Sequence, residues 1–251
     1  LFRASEPDCP TFTQYLHDEL PENSVIGLNG KLFSVQAMND MKELFEDKNI
    51  TVAIDKDYGN DIWEDRPEEE YTPAYYLDEK YCGKSAAQKI AEVREALAED
   101  GCDALVVGRL DNTNWLFNVR AKDIPNSPIA ISYGFISKDS AVLFTALSRL
   151  SDEAKQILVK NGVTVKEYEE IYSYLETLDK QAVVLCDENE VNYMLYNAMQ
   201  NNHHIMLVPG VSPIPMMKPK LQTPTPLTSK TAAQKQNFTA GCLRRWKTAK
   251  N

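Results

Sequence analysis

Short apolar, β-branched runs alternate with segments of helical period along most of this chain. That alternation restricts the fold to the α/β class. The clearest run is Ala104-Leu105-Val106-Val107, which has no polar face and so predicts a strand covered on both sides. Ser24–Leu28, Ile50–Ile54, Val163–Val165, Ala182–Cys186 and Ile205–Val208 read as further strands. Ile129–Ile136 and Ala141–Phe144, joined by Ser137-Lys138-Asp139-Ser140, read as a hairpin. Between them lie helical stripes. One is Phe12, Tyr15, Leu16 and Leu20 before Pro21, and a second is Val35, Met38, Met41, Leu44 and Phe45. The best-formed helix has Ser85 as N-cap, Ala86, Ile90, Val93 and Leu97 as its apolar stripe, and Gly101 as its stop, with Lys89, Glu92, Arg94, Glu95 and Glu99 on the wet face. Further helices are expected from Asp111, as a cap, through Trp115 and Phe117, from Ser151, over Glu169–Leu178 and over Val191–Met199.

The order helix, strand at Val25, helix at Val35, strand at Ile50 is echoed by helix at Glu169, strand at Ala182, helix at Val191, strand at Ile205. The echo suggests two copies of one α/β unit, the first lacking its front half. A strand edge left unpaired in that first copy invites association, so oligomers or local fraying are expected in the first 65 or so residues.

With 43% hydrophobic residues in 251, the chain has enough apolar mass for a core, which excludes disorder for most of it. No run reaches the roughly 20 apolar residues of a bilayer span, so no membrane role is expected. Leu1-Phe2-Arg3-Ala4-Ser5-Glu6-Pro7 has no apolar signal region, and its first residue reads as a cut end. The net charge of −10 is uneven. Eight of the 27 basic residues and none of the 37 acidic ones lie in Lys218–Asn251, which leaves 19 basic against 37 acidic, net −18, before it. An acidic body argues against a nucleic-acid partner. The basic tail, introduced by Pro213, Pro215, Pro219, Pro224 and Pro226, shows no sustained period and reads as solvated. The five scattered cysteines, Cys9, Cys82, Cys102, Cys186 and Cys242, fit reduced thiols better than a disulfide framework.

Catalytic signatures are missing. There is no GxGxxG, Walker, HExxH or GxSxG motif, and glycine is scarce. His17 sits alone on a predicted helix. His203 and His204 enter a strand, where adjacent side chains point to opposite faces and cannot easily share one ion. Glu68-Glu69-Glu70 and Asp152-Glu153 read as solvated faces, and Cys186 beside Asp187 has no nearby histidine to activate it. The unusual constellation is Leu110-Asp111-Asn112-Thr113-Asn114-Trp115-Leu116-Phe117-Asn118-Val119-Arg120. It reads either as a capped helix whose Trp115 and Phe117 plug the core or as the rim of a pocket.

That run, with Asp123, Asn126-Ser127-Pro128 and Ser132-Tyr133 after it, resembles the second domain of three-domain Xaa-Pro aminopeptidases (aminopeptidase P, peptidase family M24). Asp61-Ile62-Trp63-Glu64-Asp65-Arg66-Pro67 looks like the IWxDRP at the end of that family's first domain. Tyr81-Cys82-Gly83-Lys84-Ser85 with Lys89-Ile90 and Val93-Arg94 is similar to the entry helix of the second, and Ser212–Lys218 to the passage into the third. The resemblance implies an α/β fold of two creatinase N-terminal-like units with mixed, mostly parallel sheets flanked by helices, the first unit incomplete. It divides the chain into 1–67, a linker at 68–84, a second unit at 85–217 and an atypical basic tail at 218–251.

The family's third domain carries the chemistry, with two Asp, one His and two Glu around two divalent ions, usually manganese. None of that set is expected here, and no catalytic residue, metal ligand or cofactor is assigned to this chain. Another reading frame of the tail permits an Ile-Glu-Asn run like the family's next helix, which suggests a frameshift; resequencing the locus tests that. The resemblance therefore implies a non-catalytic N-terminal region of a cytoplasmic metalloaminopeptidase. It would shape access to the active site and take part in dimer contacts, with Trp63, Trp115, Asn118 and Arg120 as rim or interdomain contacts. Peptide substrate would be met only through the missing catalytic domain. The partners expected are a second copy of the chain, and neither nucleic acid nor membrane. The competing reading is a stand-alone creatinase N-terminal-like binding or scaffold module. A nucleotide-binding enzyme is disfavoured by the missing glycine loop.

Overall fold

The largest sheet has six strands in the order β10-β9-β4-β6-β7-β8, drawn from sequence positions 104 to 207 of a computed structural model. The structure describes residue 6 and residues 9–54, 56–67, 70–200 and 204–208. All belong to one unit, Leu1–Met217; the tail, His203, Cys242 and the Ser212–Lys218 motif lie outside the described residues.

The elements run α1 (Phe12–Glu19), β1 (Val25–Gly27), α2 (Val35–Phe45), β2 (Thr51–Ala53), α3 (Tyr58–Ile62), β3 (Tyr75–Tyr76), α4 (Glu79–Cys82), α5 (Ala86–Glu99), β4 (Ala104–Val107), α6 (Leu110–Phe117) and β5 (Val119–Arg120). They continue β6 (Tyr133–Ser137), β7 (Ala141–Phe144), α7 (Asp152–Lys160), β8 (Thr164–Lys166), α8 (Glu170–Glu176), β9 (Val183–Cys186), α9 (Tyr193–Ala198) and β10 (His204–Leu207). β10, β9 and β4 run parallel to one another, as do β7 and β8, while β6 is antiparallel to both neighbours. The sheet is thus mixed and mostly parallel, with helices on both faces. β4 is buried along its whole length, as its unbroken apolar run requires. Its side chains alternate. Leu105 and Val107 join the core built with α5, α6 and α7, whereas Ala104 and Val106 join the core built with α8 and α9.

The smaller lobe holds a two-stranded parallel sheet, β1 with β2, connected through α2. Met41, Phe45 and Ile50 form its core, against which Leu16, Leu20 and Ile26 lean. The echo in the sequence is visible here: β9, α9 and β10 repeat the parallel unit β1, α2 and β2. The two copies meet through an antiparallel bridge between Ser34 and Asn192.

Four expectations shift. α6 begins at Leu110, with Arg109 in the cap position and no side-chain cap bond; Asp111 lies inside the first turn, where its carboxylate takes Arg109 Nε at 2.8 Å. β6 begins at Tyr133 rather than Ile129, because side chains already hold the preceding backbone: Ala130 N donates to Asn114 Oδ1 and Ile131 N to Asp123 Oδ2. α9 starts after Asn192, since the Val191 carbonyl accepts from Val35 N in the bridge. The segment read as a linker, 68–84, is paired into the fold over its second half. β3 pairs with β5, and buried Ala74 bridges Leu150.

Candidate functional site

Three of the four singled-out residues converge where α6 passes into β5. Asn118 ends the helix in the left-handed region (φ 56°), a conformation asparagine tolerates better than most residues. It is fully buried. Its Oδ1 accepts from Lys89 Nζ at 2.6 Å, and its Nδ2 donates to the Lys84 carbonyl at 2.9 Å and to the Tyr76 hydroxyl at 3.3 Å. Trp115 contributes its carbonyl, which accepts from Lys89 Nζ at 2.7 Å, and its ring, whose centroid lies 4.2 Å from that ammonium. Arg120 turns back onto the helix end, donating from Nη1 to the carbonyls of Asn114 (2.5 Å) and Val119 (2.8 Å). Burial lowers its pKa from the ordinary value. Trp63 lies elsewhere, after α3 in the smaller lobe, 53% exposed beside the still more open Ile62.

Lys89 is the centre of this turn and a correction to the wet-face reading, for only 1% of it is exposed. Burial pushes its ammonium down to about 8, with the Cys82 thiol acting the other way. The signal was available. Lys89 stands three residues after Ala86 and four before Val93, on the apolar stripe rather than opposite it.

A second buried polar group closes the loops at the same end of the sheet. Asp123 Oδ1 accepts from Thr72 N (3.1 Å), the Thr72 hydroxyl (2.7 Å) and Arg149 Nη2 (2.5 Å), while Oδ2 accepts from Ile131 N (2.7 Å). Burial pushes the Asp123 carboxyl up, but Arg149 and the backbone donors outweigh it and hold it below its ordinary value. Arg149 also donates from Nε to the Thr72 carbonyl and lies 5.3 Å from the Tyr71 ring centroid. Sequence reasoning passed over Lys89, Thr72 and Arg149 as site residues, because their partners lie far along the chain.

Between the loops that follow β4 and β9 is an open crevice of about 530 Å³ lined by Gly108, Arg109, Leu110, Asp187, Asn189 and Glu190. Arg109 pairs there with Glu190 at 3.3 Å. Burial and the neighbouring Asp187 raise the Glu190 carboxyl.

These groups position backbone. Among the described residues, no three His, Cys, Asp or Glu side chains are grouped to hold a metal ion. Burial pushes the Cys186 thiol up to about 12, which suppresses the thiolate a nucleophile needs. Cys9, Cys82, Cys102 and Cys186 are free thiols. No helix among the described residues is long and apolar enough to cross a membrane.

The family profile described as the Creatinase/Prolidase N-terminal domain matches residues 65–220. The chain belongs to this family. It is similar to a probable Xaa-Pro aminopeptidase P of Coprinopsis cinerea, 33% identical over 191 residues, which cover 75% of this chain and 30% of that protein. It is also similar to Xaa-Pro aminopeptidase 1 of Dictyostelium discoideum, 28% identical over 218 residues, or 83% of this chain and 34% of that one. Among solved structures, the X-prolyl aminopeptidase of Caenorhabditis elegans, described as a cytosolic enzyme with a di-nuclear active site, superimposes with a TM-score of 0.76. The identity is 27%, over 84% of this chain and 35% of that one. This creatinase/prolidase N-terminal chain thus spans about a third of the length of the relatives it matches. Its described residues do not fit a di-nuclear metal site, since no donor set of the required size converges.

Proposed function

We propose that this chain is the non-catalytic N-terminal region of a cytoplasmic Xaa-Pro metalloaminopeptidase, whose parent releases the residue preceding proline from a peptide N-terminus. The region shapes access to the active site and takes part in dimer contacts. The observation that carries this reading is the match to an N-terminal domain family in a chain covering about a third of its aminopeptidase relatives. The two ions of the parent, usually manganese, belong to the part of the relatives this chain does not match. Trp63, with its half-exposed ring, and Arg120, anchored at one nitrogen, serve as contacts toward the rest of the parent. Trp115 and Asn118 act from beneath, holding the turn that carries Arg120 through Lys89.

The test is an assay of the purified chain on an Xaa-Pro peptide with added Mn²⁺. The expected outcome is no release of the first residue above a metal-only blank. Turnover that survives repurification and scales with chain concentration overturns the reading.

A further inference from the structure

His17, expected to sit alone, is held at both ring nitrogens. Nδ1 lies 3.0 Å from Asp18 Oδ1, and Nε2 lies 3.0 and 3.2 Å from the two oxygens of Asp47. Asp18 belongs to α1, as His17 does, but Asp47 belongs to the loop after α2. The ring therefore joins two elements. α1 has no fully buried residue; Leu16 and, just beyond its end, Leu20 lean on the lobe's core. The same loop supplies Lys48, whose Nζ donates to the carbonyls of His17 (2.6 Å), Asp18 (3.3 Å) and Leu20 (3.2 Å), the unsatisfied groups at the helix end.

A neutral imidazole carries one N–H and one lone pair, so it can donate to only one of two carboxylates; the other then faces a lone pair. The charged ring donates to both. We propose that His17 is a proton-operated latch that fastens α1 to the loop after α2 while the ring is charged and loosens it when the ring is neutral. The groups acting on the ring are Asp18 from its own helix and Asp47 and Lys48 from the loop. Hydrogen bonds to Asp18 and then to Asp47 raise its pKa above the ordinary 6.5, against partial burial and the Lys48 charge. The sign follows. A raised pKa in the latched state means the latch is fully engaged below the ordinary value and is lost as pH climbs through the raised one.

The experiment is NMR of the full chain from pH 5.5 to 9. It reads the His17 ring titration and the amide exchange protection of α1, corrected for the intrinsic rate and referenced to the β9 amides. The expected result is a His17 titration above the ordinary range and α1 protection that falls with pH, by up to about tenfold per pH unit between the free and latched pKa values, since one proton is linked. His17→Gln should make α1 protection independent of pH. Asp47→Asn, which removes one of the two carboxylates on the ring and alters no residue of α1, should bring the His17 titration back toward its ordinary value. A ring that titrates at or below the ordinary range overturns the latch. So does α1 protection that ignores pH in the natural chain, or that keeps its pH dependence in His17→Gln.

Discussion

Ser34 and Asn192 stand at matching positions of the two repeated units, and each is the other's bridge partner. Ser34 caps α2 by accepting from Ala37 N, and Asn192 caps α9 by accepting from Leu195 N. Val35 N donates to the Val191 carbonyl at 3.1 Å and Tyr193 N to that of Phe33 at 2.8 Å, an exchange with local two-fold character. The repeat therefore serves as an interface: the entry points of equivalent helices are self-complementary. Removing either cap by Ser34→Ala or Asn192→Ala should cost about 1 kcal/mol. Asn192→Ala should cost more, because its Nδ2 also donates to the Tyr133 hydroxyl at 2.8 Å. Urea midpoints at constant slope measure both. Equal shifts would show that the Tyr133 bond contributes nothing.

What was legible came from local rules. β4 announced burial on both faces, and Ser85 with Gln88 forms the full capping box that starts α5, which Gly101 follows at φ 69°. What was hidden depended on distance along the chain. Asp123 meets Thr72 across 51 residues and Lys89 meets Asn118 across 29, and neither pairing leaves a periodic trace. The singled-out motif shows both sides of this. Trp115, Asn118 and Arg120 do gather at one turn, but Lys89, the side chain that Trp115 and Asn118 hold there, was assigned to solvent because a lysine on an apolar stripe reads as polar first and buried second.

Lys89→Met keeps the aliphatic stem and removes the ammonium, leaving the Trp115 carbonyl and Asn118 Oδ1 without their shared donor. A loss of about 1–3 kcal/mol is expected, with the turn at Asn118 the first to lose amide protection. The pH profile separates this from simple packing. The folded Lys89 releases its proton near 8 and the unfolded one near 10.5, so the unfolded state binds more protons between those values and stability due to this group rises with pH there. Chemical denaturation at pH 7, 8.5 and 9.5 should show the natural chain gaining on Lys89→Met. A constant gap would mean the ammonium is not buried in solution.

Asp123→Asn replaces the carboxylate that pairs with fully buried Arg149, leaving a cation whose charge is no longer compensated. Breaking a buried pair from one side costs about 3–5 kcal/mol. The acid limb should change too. The Asp123 pKa is depressed on folding, so its contribution is present above the unfolded carboxyl value and is lost as pH falls through the folded one. The natural chain should therefore converge on Asp123→Asn in stability below about pH 4, the ordinary carboxyl range. The Thr72 and Ala74 amides should exchange faster in the variant, since Thr72 N donates to Asp123 and the neighbouring backbone is fixed through Arg149.

Gly108 closes the crevice from below. A Cβ there would lie 2.4 Å from the Glu190 carbonyl oxygen, so the loops after β4 and β9 can approach this closely only over a glycine. Gly108→Ala must push backbone against backbone, with no flexible side-chain tip to give way, and a cost of about 1–3 kcal/mol is expected. The damage should be directional. Parting these loops lengthens the Arg109–Glu190 contact, now 3.3 Å, and the Asn112–Glu190 bond, also 3.3 Å. The Arg109 and Asn112 side-chain resonances should therefore shift in Gly108→Ala, while those of Lys89 and Asn118, at the other end of α6, stay in place. If all four move together, the crevice is not an independent unit of the fold and is mechanically coupled to the Lys89–Asn118 turn.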